Sequence, residues 1–285
     1  MLQFLVKAGG RLAVLGLTAV LSAPAARAGG LSPGIPDPCA GPGAMLALLD
    51  RPTVGDSPCV VKPDQMVLEA GVARYALYGL SGHAWGYPQL ELRWGLPGHN
   101  EWVLLPPNIS RVSIPAAGGV NQASTGGSAS VAGIKHEFGY NEHWLWAGEM
   151  LITLPSGSPT FGSAATGYAV NGIVSYSPAP AFGLTLMFGG AHYAQPREVQ
   201  GGAYYWTLNP DLVATWQPAP DVQWYAEVYG QEHAGPGQAS AYNADGGIQY
   251  LVNPDFELDA EIGQRLSGNL AGWSHYLGVG LGLLF

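Results

Sequence analysis

Glu257, Asp259 and Glu261 alternate along the segment DFELDAEI, three carboxylates at every second position. Paired carboxyls can do acid–base work on a glycosidic bond when one is held protonated and their separation is fixed. On an extended chain these three follow one another at about 7 Å along one face. That spacing fits no tight dyad and reads instead as an acidic wall in contact with water. The other chemistry-bearing types are as scattered. The seven histidines, His83, His99, His136, His143, His192, His233 and His275, show neither H-E-x-x-H nor H-x-x-x-H spacing. No metal site or cofactor is therefore expected. No G-x-S-x-G elbow occurs, although a triad dispersed through the sequence would leave no local trace.

The element that carries the carboxylates explains them better. Phe256, Leu258, Ala260 and Ile262 occupy the alternate positions, so the segment is a strand with one acidic and one apolar face. The same period of two recurs from about Gln65 onward. Leu92 and Trp94 oppose Glu91 and Arg93, and Trp224, Ala226 and Val228 oppose Tyr225, Glu227 and Tyr229. Asn243, Asp245, Gln249 and Arg265 share the polar parity on neighbouring strands. The last segment, HYLGVGLGLLF, sets Leu277, Val279, Leu281, Leu283 and Phe285 against Gly278, Gly280 and Gly282.

A soluble sandwich would bury the apolar faces in a shared core, but three features select a membrane instead. First, the chain opens as an exported protein. Lys7 and Arg11 precede an apolar run ending in Ala26-Arg27-Ala28, so residues 1–28 read as a secretory signal peptide. Second, charged residues are 11% of the chain, whereas globular proteins carry about a quarter. No apolar run is long enough for a spanning helix. Third, the strands run about 9 to 13 residues, the length that crosses a bilayer at a tilt. Short Pro-marked connections (SPAPA, QPAP, VNPD) alternate with long Gly-rich ones, the turn-and-loop asymmetry of outer-membrane barrels.

Counting back from Phe285 at the periplasmic end gives an all-β fold, a transmembrane antiparallel up-and-down β-barrel of about twelve strands over residues 64–285. The count requires EWVLLPPNISRVSI to be a single strand interrupted at Pro106-Pro107. The apolar faces then meet lipid and the polar faces line the lumen. Gly280, Leu283 and the terminal Phe285 resemble the C-terminal signal read by the outer-membrane assembly machinery, departing from it at Gly278, where that signal is usually polar. Residues 29–63 are rich in Pro and Gly and include a helix-like AMLALLD. Cys39 and Cys59 lie there and are expected to pair in an oxidising compartment. This segment either enters the lumen as a plug or hangs in the periplasm. Loss of residues 1–28 removes Lys7, Arg11 and Arg27 and takes the formal charge from −9 to −12, which excludes nucleic acid as a partner.

Several phrases resemble the MetA-pathway of phenol degradation family of outer-membrane proteins. They are DRPTVGDSPCVV (residues 50–61), LEAG, GIKHEF, ITLPSG, NPDLVATW, AEVYGQ and NADGGIQYLVNPDFELDAEIGQRLSG. The resemblance implies an outer-membrane barrel of transporter or channel type, associated with the breakdown of aromatic compounds. It carries over no catalytic residues. Together with the strand pattern it leads to passive passage of small, aromatic or hydrophobic solutes, with Tyr225 and Tyr229 facing the path. The competing readings are a sealed structural or surface-interaction barrel and, third, a membrane-embedded enzyme. A lumen packed around Glu91 and Arg93 would mark the sealed form.

Overall fold

The computed structural model describes residues 34–41, 43–115 and 121–285. The signal peptide assigned to residues 1–28 lies outside them. One short helix, α1 (Ala44–Leu48), precedes the strands. These are β1 (Met66–Leu77), β2 (His83–Tyr87), β3 (Glu91–Leu96), β4 (Asn100–Leu105), β5 (Ile109–Pro115), β6 (Asn121–Gly127), β7 (Val131–Tyr140) and β8 (Trp144–Thr153). The chain continues through β9 (Gly167–Ala179), β10 (Phe182–Ala194), β11 (Tyr204–Ala219), β12 (Val222–Gln231), β13 (Ala241–Asn253), β14 (Phe256–Ser267) and β15 (Trp273–Leu284).

The named strands pair antiparallel throughout, and β15 returns to β1 to close the sheet, with Val67 opposite Leu284 and Val72 opposite Val279. Closure removes the sheet edge that a bilayer cannot satisfy. Three pairs of pieces act as single crossings: β2 with β3, β4 with β5, and β6 with β7. Counted so, the wall has twelve strands. The break between β4 and β5 falls at Pro106-Pro107, as the sequence count requires, because proline has no N–H for the ladder. A second break at Pro88–Leu90 and a third at Ser128–Ser130 lie beside it. Side chains and backbone bridge this seam: Gln89 N donates to Asn108 Oδ1 (3.2 Å) and Asn108 N to Ser128 Oγ (2.8 Å).

The two faces separate by parity. Leu258, Ile262, Leu277 and Val279 point outward and are exposed, whereas Glu257, Asp259 and Glu261 between them are buried inside. Trp94, Trp102, Trp144, Trp216 and Trp224 ring the end with the short turns. Tyr168, Tyr204 and Trp206 mark the end with the long loops. An apolar belt between two aromatic girdles on a closed barrel of even strand number places the protein in the bacterial outer membrane.

The segment before β1 sits inside the wall. Met45, Leu46, Leu48 and Leu49 cluster with Cys39, Cys59 and Val61 against Val67, Leu145 and Leu251 of the strands. Cys39 and Cys59 form the disulfide inferred from their compartment. The glycines of β15 explain how the segment fits. A Cβ at Gly282 would lie 2.7 Å from Leu49 Cδ2, and one at Gly280 would lie 2.5 Å from Arg51 Nη2. Gly71, opposite Gly280 in register, likewise leaves 2.5 Å for the same guanidinium. The space at Gly280 and Gly282 is therefore occupied by residues 45–51, and that at Gly278 by Glu261 of β14.

Candidate lumen site

Three sets of contacts tie the segment to the wall. The first surrounds Asp50. Its carboxylate meets Lys135 Nζ of β7 at 2.8 Å and Arg93 Nε of β3 at 3.1 Å. Arg93 also pairs with Glu101 of β4 (2.8 Å) and Glu69 of β1 (3.4 Å), and Lys135 reaches Glu101 at 3.2 Å. Arg93, Lys135, Glu69 and Glu101 are fully buried. Arg93 further donates to the carbonyls of Leu48 (2.5 Å) and Cys59 (3.0 Å), gripping both arms of the disulfide loop. Burial pushes the Asp50 carboxyl above its ordinary range, while Arg93 and Lys135 pull it back. Two cations among three carboxylates, each hydrogen-bonded, form the kind of satisfied network that a low-dielectric interior tolerates.

The second set centres on Arg51. Its guanidinium forks onto Asp259 (3.1 and 3.3 Å), reaches Glu261 at 3.5 Å and donates to Gln89 Oε1 at 3.1 Å. Gln249 Nε2 donates to the Arg51 carbonyl at 2.9 Å. In the third set Glu227 accepts the N–H groups of Val54 (3.0 Å) and Gly55 (2.7 Å).

Most of the residues singled out by parity converge here. Arg93, Glu227, Gln249, Asp259 and Glu261 touch the segment or its partners. Glu91 is half-buried opposite Glu69, and Glu257 lies buried opposite Gly282. Asp245 and Glu261 receive Tyr276 Oη at 2.7 and 3.0 Å, next to an aromatic cluster of Tyr75, Tyr229, Trp273 and Tyr276. Tyr225 and Asn243 are buried on the same inner face. Arg265 stands apart. It lies over the Tyr78 ring at 3.9 Å and donates to the Gly268 carbonyl, at the loop end of the barrel. Sequence reasoning missed Asp50, Arg51, Glu69, Glu101 and Lys135. The signals available were local: Glu101 is the one charge of its strand, Lys135 shares the inward parity of Glu137 in GIKHEF, and Asp50-Arg51 opens the phrase DRPTVGDSPCVV.

On the other side of the lumen the filling stops. A cavity of about 350 Å³ lies between the segment (Leu46, Thr53, Ser57) and strands β8 to β13, reaching Tyr225 and Gln249. Its wall mixes apolar with polar groups, among them Ser175, Thr185, Thr215, Asp56 and Arg51. Asn141–Trp144 and Pro180–Gly183 border it at the short-turn end. No group of three or more His, Cys, Asp or Glu side chains suited to a metal ion occurs among the described residues.

The fold is shared with solved outer-membrane structures. An outer membrane channel from Pseudomonas putida F1 superposes with a TM-score of 0.60 at 10% identity, over 81% of this chain and 100% of that one. The KdgM porin gives a TM-score of 0.50 at 10% identity, over 77% of this chain and 99% of that one. At such identities the likeness is one of fold. A search of curated protein sequences finds no match. The family model described as "Putative MetA-pathway of phenol degradation" matches residues 50–281, from the Asp50 that enters the lumen to the last lipid-facing strand, and the chain belongs to that family.

Proposed function

We propose that the protein is a passive outer-membrane channel for small solutes, with residues 34–63 as a plug that narrows the lumen to one side. The observation that carries this reading is the cavity beside the plug, which opens at the short-turn end and leads to Tyr225. Hydroxyl and amide groups along it hydrate a solute, and Tyr225 offers an aromatic face to an apolar one. Acidic residues dominate the inner face of β12 to β14 beside the cavity: Glu227, Asp245, Glu257, Asp259 and Glu261 are buried there, against Arg51 from the plug. Such a wall favours cations and neutral molecules over anions. The solute class that fits is small, aromatic, and neutral or cationic. The work is diffusion rather than catalysis, so no cofactor enters.

A second reading has its own support. The ion network around Arg93 fills the β1–β7 side, the packing expected of a sealed barrel. In that reading the plug stays seated and nothing passes. Influx into proteoliposomes separates the two. Benzylammonium and benzoate have similar size and opposite charge. The channel reading expects benzylammonium to enter several times faster than benzoate. Equal, protein-independent rates for both would leave the sealed barrel.

A further inference from the structure

Eight Lys and Arg residues lie beyond residue 28, and most have work already assigned by their surroundings. Arg51, Arg93 and Lys135 are held inside the barrel. Arg265 is stacked on Tyr78. Lys62 and Arg197 lie outside the strands. Arg74 and Arg111 remain. Both sit on strands, both are exposed, and both point outward; the outward residues next to Arg74 on β1 and β15, Val72 and Leu277, are apolar.

The register brings them together. Arg74 of β1 is directly opposite Trp85 of β2, and Trp85 is directly opposite Arg111 of β5. The inward neighbours Ala73 and Gly86 are buried, which fixes the outward parity. Strand spacing sets the two arginine Cα atoms about 10 Å apart with the indole between them. Neither guanidinium has an ion-pair or hydrogen-bond partner among the described residues.

Their depth is also fixed. Below Arg74 the outward residues of β1 are Val72, Ala70 and Leu68, in row with Val279, Leu281 and Leu283. Above it, the row through Ala76 holds His275, Gln264 and His83. Arg74 thus stands where the lipid-facing surface turns from apolar to polar, at the end with the long loops. Rows slope because the strands are tilted. The row through Val72 runs by Val279, Ala260 and Ile248 down to Trp224, near the start of β12. It therefore rises in the other direction, by about 3 Å per strand at the usual tilt. Arg111 lies above Arg74 by about two such steps, among headgroups rather than acyl chains. Trp85 is at the level where indoles anchor in the interface.

We propose that Arg74, Trp85 and Arg111 form a binding site for the phosphate groups of an outer-leaflet glycolipid. Unpaired arginines on a lipid-facing wall are costly unless an anion meets them, and the guanidinium fork matches a phosphate with two parallel hydrogen bonds. An acidic chain otherwise repels an anionic leaflet. The two arginines supply local attraction on one face and fix how the barrel sits against its lipid. This site is independent of whether the lumen conducts.

Native mass spectrometry of the full chain in detergent tests it, with bisphosphorylated lipid A, dephosphorylated lipid A and inorganic phosphate as probes. Folding of each variant is checked by its mobility shift on heating. Arg74→Gln and Arg111→Gln should each weaken lipid A binding about fivefold, and the double variant about thirtyfold, the effect of one and two interfacial cations. Arg197→Gln, in a loop, should leave binding unchanged. Unaltered protein should discriminate strongly against the dephosphorylated lipid, a comparison that needs no variant to fold. The proposal is overturned if the double variant binds lipid A as tightly as the unaltered chain, or if both lipids bind equally. It is also overturned if millimolar inorganic phosphate displaces the lipid, which would make this a free-phosphate site.

Discussion

Gly282→Leu asks whether the glycine face of β15 is a seat for the plug. A Cβ there would come within 2.7 and 2.9 Å of the Leu49 methyls and 3.3 Å of Met45 Cε. The wall is held by its ladder to β1 and β14, so the plug is the partner that yields. Inserting a side chain into a filled space costs about 1–3 kcal/mol. Spent on the plug's docking equilibrium, that raises its undocked population about 5- to 150-fold. Chymotrypsin reads this directly, because its sites at Met45 to Leu49 are buried when docked. When reclosure is faster than cleavage, the cutting rate follows the open population. The fragments stay joined through Cys39–Cys59, so cleavage is scored on reducing gels. Gly172→Leu is the control: its Cβ would meet only the Phe188 carbonyl oxygen, at 3.9 Å, on the lipid side. Cleavage of Gly282→Leu no faster than the control would refute the docking argument.

Other consequences can be measured separately. Lys135→Met leaves Asp50 and Glu101 short of a buried cation and should cost about 3–5 kcal/mol, seen as a lower denaturation midpoint with the barrel still assembling. Leu258→Arg should lower the yield of folding into bilayers, by less than the roughly 2–4 kcal/mol of a midplane Arg, because Leu258 is the third residue of β14 and lies toward the short-turn end. Asp259→Arg sets a second cation against Arg51 and should speed chymotrypsin cleavage of the plug rather than stop barrel folding; the reverse pattern would invert the two faces. Alkylation of unreduced protein should find no free thiol, and reduction should loosen a 20-residue loop whose closure is worth about 3 kcal/mol.

Much of the barrel was legible because a lipid-facing wall writes its parity into every strand. Leu258 against Asp259, and Leu277 against Gly278, need no knowledge of the rest of the chain. The break at Pro106-Pro107 was legible for the same local reason. The site was less so. Alternation says that Asp259 and Glu227 face inward, but not that Arg51 and the N–H groups of Val54 and Gly55 come to meet them. Those contacts span more than 170 residues and join a strand to an irregular segment with no period of its own. Glycines in β15 carried half of this information. They declared that space was needed and could not say what filled it. Arg265 shares the inward parity in sequence, yet the register shift between Tyr242 and Asn243 and the nearness of the loop turn it onto Tyr78.

The proposed channel has a path beside the plug and acidic surroundings. Planar bilayers holding the purified full chain, bathed by a tenfold KCl gradient, test both parts at once. Small, discrete conductance steps are expected, with a reversal potential of the sign of K⁺ preference. Larger steps should appear more often for Gly282→Leu, whose plug undocks more often. Absence of steps from both proteins, or a reversal potential of the sign for Cl⁻, would contradict the proposed channel.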